Sequence, residues 1–216
     1  MKAPQATRGR RRRTNDPQGT RRNIVEVATR EFADKGYSGA RVDAIAERTR
    51  TSKRMIYYYF GSKEGLYLAV LDEAYSGIRR AEATLDLDTL PPEAALRTIV
   101  GFTFDYYNKH PEFVRLVMNE NIMDGAHMAR SKTISKLNVT VIDAMRRIVS
   151  RGQKARLFRR DIDPIELHMS ISALGIFNVA NRATFSTIFK RDMTTPRALA
   201  KRRAEVVEIV LRHVRP

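Results

Sequence analysis

The sequence lacks several features that define large classes of proteins. It contains no cysteine, which excludes disulfide bonds, thiolate chemistry and cysteine-ligated metals. It has no uncharged apolar run of about eighteen residues, and no apolar stretch follows its arginine-rich start, so it predicts neither a membrane span nor a signal peptide. These absences favour a cytoplasmic protein.

Catalytic motifs are also missing. The four histidines, His110, His127, His168 and His213, share no metal-ligand spacing, and we expect lone histidines of this kind to make local hydrogen bonds. There is no nucleophile elbow, and no glycine-rich phosphate loop follows a strand. The sequence therefore predicts a protein that is not an enzyme and that holds neither a metal nor a cofactor.

Positive charge is abundant. Lysine and arginine total 40 against 24 acidic residues, which gives a formal net charge of +16 over 216 residues. A field of this sign attracts nucleic acid or an anionic membrane. Residues 1–17 include the run Arg10 to Arg13 and have no apolar periodicity, so they predict a disordered basic arm. Such an arm can engage phosphates or a minor groove, and the alternative is a solvated tail without a role.

Apolar residues recur at helical spacing, and no segment alternates with period two, so we expect an all-α fold of about nine helices. Gly36 is predicted to end the first helix. Two short helices follow, one from Val42 and one capped by Ser52, and they form a helix-turn-helix over residues 41–60. Prolines at helix starts predict later helices, including an eighth after Asp163 and a ninth from about residue 196.

The segment Tyr57 to Phe60 places four aromatic residues in a row on the second of these short helices. Successive residues are about 100° apart on a helix, so they cannot all face one core. Ile56 and Phe60 point inward, whereas Arg54 and Tyr58 point outward. Exposed tyrosines beside lysine and arginine are typical of a nucleic-acid interface. The predicted contacts to double-stranded DNA are Arg41, Val42, Ser52, Lys53, Arg54, Tyr57, Tyr58 and Lys63, with Lys53 and Arg54 nearest the bases.

Residues 20–70 resemble the N-terminal domain of the TetR family of bacterial transcriptional regulators. The matching types are Thr20, Ile24, Ala28, Phe32, Gly36, Tyr37, Val42, Ile45, Ala46, Ser52, Ile56, Tyr57, Tyr59, Phe60, Ser62, Lys63, Glu64 and Leu66. Arg50 and Thr51 depart from the usual Gly-Val turn, and Tyr59 stands where histidine is common. The resemblance implies a three-helix DNA-binding domain at residues 18–66 and an effector-binding and dimerisation domain at residues 67–216.

A homodimer is expected through residues 164–190 and 196–214. The eighth helix is apolar nearly all round, so it needs cover on more than one side. One side can face its own domain, and a stripe on the ninth helix through Leu199, Val206, Val207, Val210 and Val214 would complete the interface. The alternative is a central helix buried within a monomer.

A ligand pocket is expected within the group of helices four to eight, because Glu120 falls on the apolar stripe of helix six. A buried carboxylate needs a partner, which is either a group of the protein itself or an effector. Aromatic and polar residues on neighbouring helices would complete the pocket. The candidate ligand-binding residues are Phe102, Tyr106, Glu120, Asn121, Asn138, His168, Phe177 and Asn178.

Three hypotheses for the function remain open. The first is a repressor that binds a pseudo-palindromic operator as a dimer and is released by a small-molecule effector. The second is a DNA-binding protein of the same fold with no effector, and the third is a helical enzyme with an incidental basic surface. An interior cavity with polar groups would favour the first over the second, whereas a cluster of acid-base or metal-binding residues would favour the third.

Overall fold

The computed structural model describes residues 16–216, and within this range the chain forms ten α-helices and no strand. The predicted basic arm, including Arg10 to Arg13, lies outside the described residues apart from its last two positions. The helices are α1 (Pro17–Gly39), α2 (Val42–Thr49), α3 (Lys53–Phe60), α4 (Lys63–Glu82), α5 (Pro92–Lys109), α6 (Pro111–Ile122), α7 (Lys132–Lys154), α8 (Pro164–Ala180), α9 (Arg182–Phe189) and α10 (Pro196–Val214), with a 3₁₀ turn at Met128–Arg130. The all-α prediction is confirmed.

Local signals determine most of the helix starts. Ser52 accepts a hydrogen bond from the backbone N–H of Met55 at 3.2 Å, and Asp163 accepts from the N–H groups of Ile165 and Glu166. These caps satisfy backbone donors that have no partner within the helix. Gly36 interrupts α1 as expected, because its φ of 67° lies in the left-handed region that favours glycine.

The predicted eighth helix is two helices. It ends at Ala180, and α9 begins at Arg182, because Asn181 between them has φ −100° and ψ 5°, which interrupts the helical path. Asparagine tolerates such a position because it is a weak former of helix interiors. The helix predicted from Pro196 is therefore α10. The helix α7 begins at Lys132, because Ser131 caps it by accepting from the N–H of Ile134 at 3.0 Å.

Two large cores and a smaller third cluster, which includes Ile78 of α4, organise the chain. The first joins α1 to α4 and includes Phe32, Ile45 and Ile56, with Leu116 of α6 packed against them. The second joins α5, α7, α8 and α10. The predicted domain boundary after residue 66 falls inside α4, which packs against α1 and α3 near its start and against α5 and α7 as well. This helix therefore connects the DNA-binding part of the chain directly with the C-terminal helices.

The outer faces of α8 and α10 differ from the prediction in one respect. Val206, Val207, Val210 and Val214 do not form an outward stripe, because α10 turns them into its own core against α5. On α8, by contrast, Leu167 and Ile171 are buried, while Ile165 and Met169 are more than half exposed. None of the helices described is both long enough and apolar enough to cross a bilayer.

Candidate nucleic-acid interface and candidate ligand site

The helices α2 and α3 form the predicted helix-turn-helix. Ile45 and Ile56 are fully buried and pack the two helices into the first core. Between the helices, Arg50 has φ 52° and ψ 36°, and its backbone N–H donates to Glu47 at 3.1 Å. This left-handed conformation explains why a glycine would suit the turn. Arg50 adopts it at a cost of about 1 kcal/mol.

The aromatic residues of α3 divide by direction as expected. Tyr58 is 78% exposed, and Arg54 beside it on the same face is exposed too. Tyr57 lies at the edge of this face, while Tyr59 and Phe60 are half-buried against the core. The guanidinium of Arg21 lies 5.2 Å from the centre of the Phe60 ring, which brings the start of α1 next to the end of α3. One face of α3 is thus free for a major groove.

Two lysines flank this face. Lys53 pairs with Asp43 of α2 at 3.0 Å, and both side chains are about half exposed. Lys63 begins α4, where its Nζ donates to the carbonyl of Ser38 at 3.3 Å and lies 5.0 Å from the centre of the Tyr37 ring. These contacts hold the Lys63 ammonium at the N-terminal end of α4, where the helix dipole also favours an anion.

The predicted DNA contacts lie at the protein surface on or beside α2, α3 and the start of α4, with one exception. Arg41, Ser52, Lys53, Arg54, Tyr57 and Tyr58 are exposed, and Lys63 is partly exposed. Val42 is only 6% exposed and packs in the core, so its side chain faces away from this surface. Its backbone N–H is in the first turn of α2, where no side chain of the described residues provides a cap. That amide, rather than the valine side chain, is the group able to meet a phosphate.

A buried carboxylate on α1 fixes α2 relative to α1. Glu31 accepts from Lys35 at 2.8 Å, from the Arg48 guanidinium at 3.0 Å and from the backbone N–H of Arg41 at 3.2 Å. Burial raises the pKa of Glu31, but the hydrogen bonds and charges of these partners outweigh burial, so the pKa lies below its usual value. Both ends of α2 are therefore tied to one side chain.

The predicted ligand residues do not converge on one cavity. Glu120 is 1% exposed, and the protein satisfies it: the backbone N–H groups of His127 and Met128 donate to it at 3.2 and 3.0 Å, and the Nδ1 of His127 lies 3.0 Å away. Asn121 is exposed and donates to the carbonyl of Val117 on its own helix. The fold itself therefore supplies the partner of Glu120.

The other candidates lie in separate places. Phe177 and Asn178 line a cavity of about 220 Å³ between α8, α9 and α10. Tyr106 lines an open groove of about 1130 Å³ between α1, α4 and the corner of α5 and α6. Phe102 stacks near Tyr106, with 5.7 Å between the ring centres, and Asn138 is partly buried on α7.

His168 is partly buried and lies near a buried ion pair on α4 that the sequence did not predict. The guanidinium of Arg79 pairs with Glu82 at 2.5 Å, with both side chains about nine-tenths buried. Among the described residues, no hydrogen-bond partner reaches the Nε of Arg79. Burial raises the pKa of Glu82 to about 7, with Arg79 opposing, and burial followed by the charge of Arg79 lowers the pKa of His168 to about 4.

This cluster had a detectable signal. Leu71, Tyr75 and Ile78 recur along α4 at helical spacing and face the core, and Arg79 and Glu82 continue the same phase. Charged residues at apolar positions indicate a buried polar site. Within residues 16–216, no group of three or more His, Asp or Glu side chains is arranged to hold a metal ion.

The geometry defines a class: an all-helical protein with a helix-turn-helix near its N-terminus and a larger helical domain behind it. Two family models match the chain. Residues 24–70 match "Bacterial regulatory proteins, tetR family", and residues 92–210 match "Tetracyclin repressor-like, C-terminal domain". The chain belongs to the TetR family, as the sequence predicted.

Individual relatives agree with this assignment. The chain is 38% identical over 196 residues to the HTH-type transcriptional repressor NicS of Pseudomonas putida. The match covers 91% of this chain and 92% of that protein. It is similar to the crystal structure of a transcriptional regulator, SCO4942 of Streptomyces coelicolor, with 28% identity, a TM-score of 0.69, and coverage of 91% and 99%. A tetR-family regulatory protein from Rhodococcus RHA1 shares the fold, with 21% identity, a TM-score of 0.72, and coverage of 90% and 96%.

Proposed function

We propose that this chain is a ligand-responsive transcriptional repressor that binds a pseudo-palindromic operator as a homodimer and is released by a small-molecule effector. The observation that carries the proposal is the exposed face of α3, where Arg54 and Tyr58 are exposed, with Lys53 on the same helix and Lys63 at the start of α4. A helix of this kind reads base edges, while lysines and helix N-termini hold the backbone. Repression, rather than activation, follows the relative NicS. Such a regulator acts where bacterial DNA is, in the cytoplasm.

The first experiment tests DNA recognition. Duplexes are selected from a random pool with the wild-type protein, and their affinity is compared with that of an unselected duplex. Arg54→Ala should weaken binding to the selected duplex by about tenfold or more, and weaken binding to unselected DNA much less, if Arg54 makes a bidentate base contact. Equal losses on both duplexes would assign Arg54 to phosphate anchoring. A wild-type protein that selects no duplex would refute the function.

The exposed face of α8 supports the homodimer. Ile165 and Met169 are 58% and 57% exposed, and Phe177 continues the same stripe two turns further along. On α10, the small residues Ala200 and Ala204 are exposed and would allow a second helix to approach closely. Apolar surface of this kind is typical of an interface between copies. A two-fold dimer would present two α3 helices to one side of the DNA.

The dimer can be tested with a matched pair of methionines. Met169→Lys should produce a monomer in sedimentation, because it places a charge in the centre of the α8 stripe. Met118→Lys replaces a methionine on α6 that is 39% exposed, and this variant should sediment as wild type does. A wild-type monomer at micromolar concentration would contradict the proposed dimer.

The buried cluster on α4 supports an effector site in the C-terminal domain. A buried arginine whose Nε lacks a partner among the described residues leaves a donor available to a ligand. His168, Tyr106 and Tyr107 lie near enough to Arg79 for its charge to affect their pKa values. Aromatic rings beside a few polar groups are the composition of ligand sites.

The effector site can be tested at two neighbouring residues. Arg79→Met should keep operator binding but abolish its release by whichever small metabolite releases the wild type. Arg80→Met is the matched control, since Arg80 is exposed and pairs with Glu73 on the same helix. If no metabolite of a broad panel changes operator affinity, the second candidate stands: a DNA-binding protein of this fold with no effector. We infer no catalytic activity for either candidate.

A further inference from the structure

The connection between α6 and α7, residues 123–131, lies against the start of α4. Its Arg130 pairs with Glu64, which is in the first turn of α4 directly after Lys63. Ser131 donates to Asp72, further along α4, at 2.5 Å. Arg130 therefore belongs to the C-terminal domain and contacts the N-terminal end of α4, which lies beside the proposed DNA interface.

Contacts near the other end of α7 show how α7 is oriented relative to α4. Near the other end of α7, Arg151 donates to the carbonyls of Leu87 and Leu90, which follow the end of α4. The helices α4 and α7 therefore run in the same direction, and their N-terminal ends lie together. Only the N-terminal end of α4 adjoins α3. Of the two ends of α7, the N-terminal end, which follows Arg130, therefore lies nearer to α3 and the proposed DNA interface.

Glu64 is subject to two opposing effects. A carboxylate in the first turn of a helix is stabilised by the positive end of the helix dipole. On DNA, however, the same carboxylate stands beside Lys63 and repels the phosphate that Lys63 attracts. An arginine paired with Glu64 removes this repulsion without removing the carboxylate from the helix. Arg130 is placed to do this.

The connection that carries Arg130 is firmly held. The Glu120 carboxylate binds two backbone N–H groups and the ring of His127, as described above. The His127 ring contacts Tyr37 of α1 and Tyr67 of α4, with ring centres 4.3 and 5.0 Å apart. The position of the connection is therefore set by α6 on one side and by the DNA-binding helices on the other.

We propose that Arg130 is a positioning residue of the DNA interface, which cancels the charge of Glu64 so that Lys63 and the first amides of α4 hold an operator phosphate. This inference rests on the proposed function, because it requires that α3 and the start of α4 bind DNA. It makes operator affinity depend on the C-terminal domain through one side chain. A movement of the connection that withdraws Arg130 leaves an unneutralised carboxylate at the interface.

The test is a charge cycle on the selected duplex, with full-length protein. Arg130→Gln should weaken binding about threefold to tenfold at low salt, the effect of one uncompensated charge near a phosphate in exposed surroundings. The loss should shrink as salt rises, because exposed charges are screened beyond about 8–10 Å at physiological ionic strength. The double variant that combines Glu64→Gln with Arg130→Gln should bind within about twofold of the wild type, since it lacks both the carboxylate and the arginine that offsets it.

Arg147→Gln is the control for the loss of one positive charge, because Arg147 makes an exposed pair with Asp88 near the far end of α7. It should bind as wild type does. A double variant that binds as weakly as Arg130→Gln alone, or an equal loss from Arg147→Gln, would overturn the inference while leaving the DNA-binding function intact. If the wild type selects no duplex, both fall. Thermal unfolding of each variant confirms that the fold is retained.

Discussion

The buried cluster beside Arg79 predicts opposing pH dependences within one site. His168 has a pKa of about 4 in the folded chain against an ordinary 6.5, so between these values the unfolded chain binds more protons and stability rises with pH. Glu82 has a pKa of about 7 against an ordinary 4.5. In that window the folded chain binds more protons, so stability falls as pH rises. Each displacement corresponds to about 3 kcal/mol.

The two contributions should nearly cancel in the wild type between about pH 4.5 and 6.5, and single substitutions should separate them. With His168→Asn, the free energy of unfolding should fall by up to about 3 kcal/mol as pH rises from about 4.5 to 7, because Glu82 acts alone. With Glu82→Gln, it should rise by a similar amount from about pH 4 to 6.5.

The assay is urea unfolding followed by circular dichroism across this pH range. All proteins are measured at one concentration, because association would couple stability to concentration. The double variant should lose both effects and behave as the wild type does in the shared window. The reasoning is refuted if the two single variants change with pH in the same direction, or if His168→Asn follows the wild type throughout.

Three further substitutions, one of them with a control variant, test packing and the helix-turn-helix. Gly152→Ala would place a Cβ 2.0 Å from the ring of buried Phe158, so it should destabilise the chain by about 2–4 kcal/mol in denaturant unfolding. The control is Gly39→Ala, whose Cβ meets only an ordinary contact at 3.5 Å. This variant should change stability by less than about 1 kcal/mol. Arg50→Gly should stabilise by up to about 1 kcal/mol, because it relieves a left-handed residue. Glu31→Gln should cost about 1–2 kcal/mol at neutral pH. That difference should begin to shrink as pH falls below about 4.5 and vanish below the depressed pKa of Glu31 in the folded chain, since the ionised carboxylate is the form that stabilises the fold.

Local chemistry made much of the fold predictable from the sequence. Ser52 and Asp163 cap helices through side-chain oxygens, and Pro196 begins one, so the signal and the structure involve the same few residues. The break at Asn181 was not predicted, because asparagine only weakly disfavours a helix and the surrounding apolar residues continue without interruption. The helix ends there because the backbone of Asn181 leaves the helical conformation, and the spacing of apolar residues does not specify such a change.

The candidate sites, too, could be predicted from the sequence only in part. The outward direction of Arg54 and Tyr58 follows from helical phase alone, since their helix has only one apolar side. The spacing of apolar residues in α10 correctly predicted that Val206 and Val210 share one face of the helix. It did not predict which helix covers that face, and in the structure this is α5. Glu120 was predicted to be buried, and it is. Its partners come from a connection seven and eight residues later, whose path no periodicity describes.

The length of α4 has a mechanical consequence. Its 20 residues span about 30 Å, with the start beside the recognition helix and Arg79 near the other end. A rigid rod of that length converts a tilt of about 5° at its inner end into a displacement of about 2.6 Å at its tip. In the proposed dimer, two such rods moving symmetrically would change the separation of the recognition helices by about 5 Å, against the roughly 34 Å between successive major grooves. A rearrangement around Arg79 no larger than a rotamer change is therefore enough to move the two recognition helices out of register with successive major grooves of the DNA.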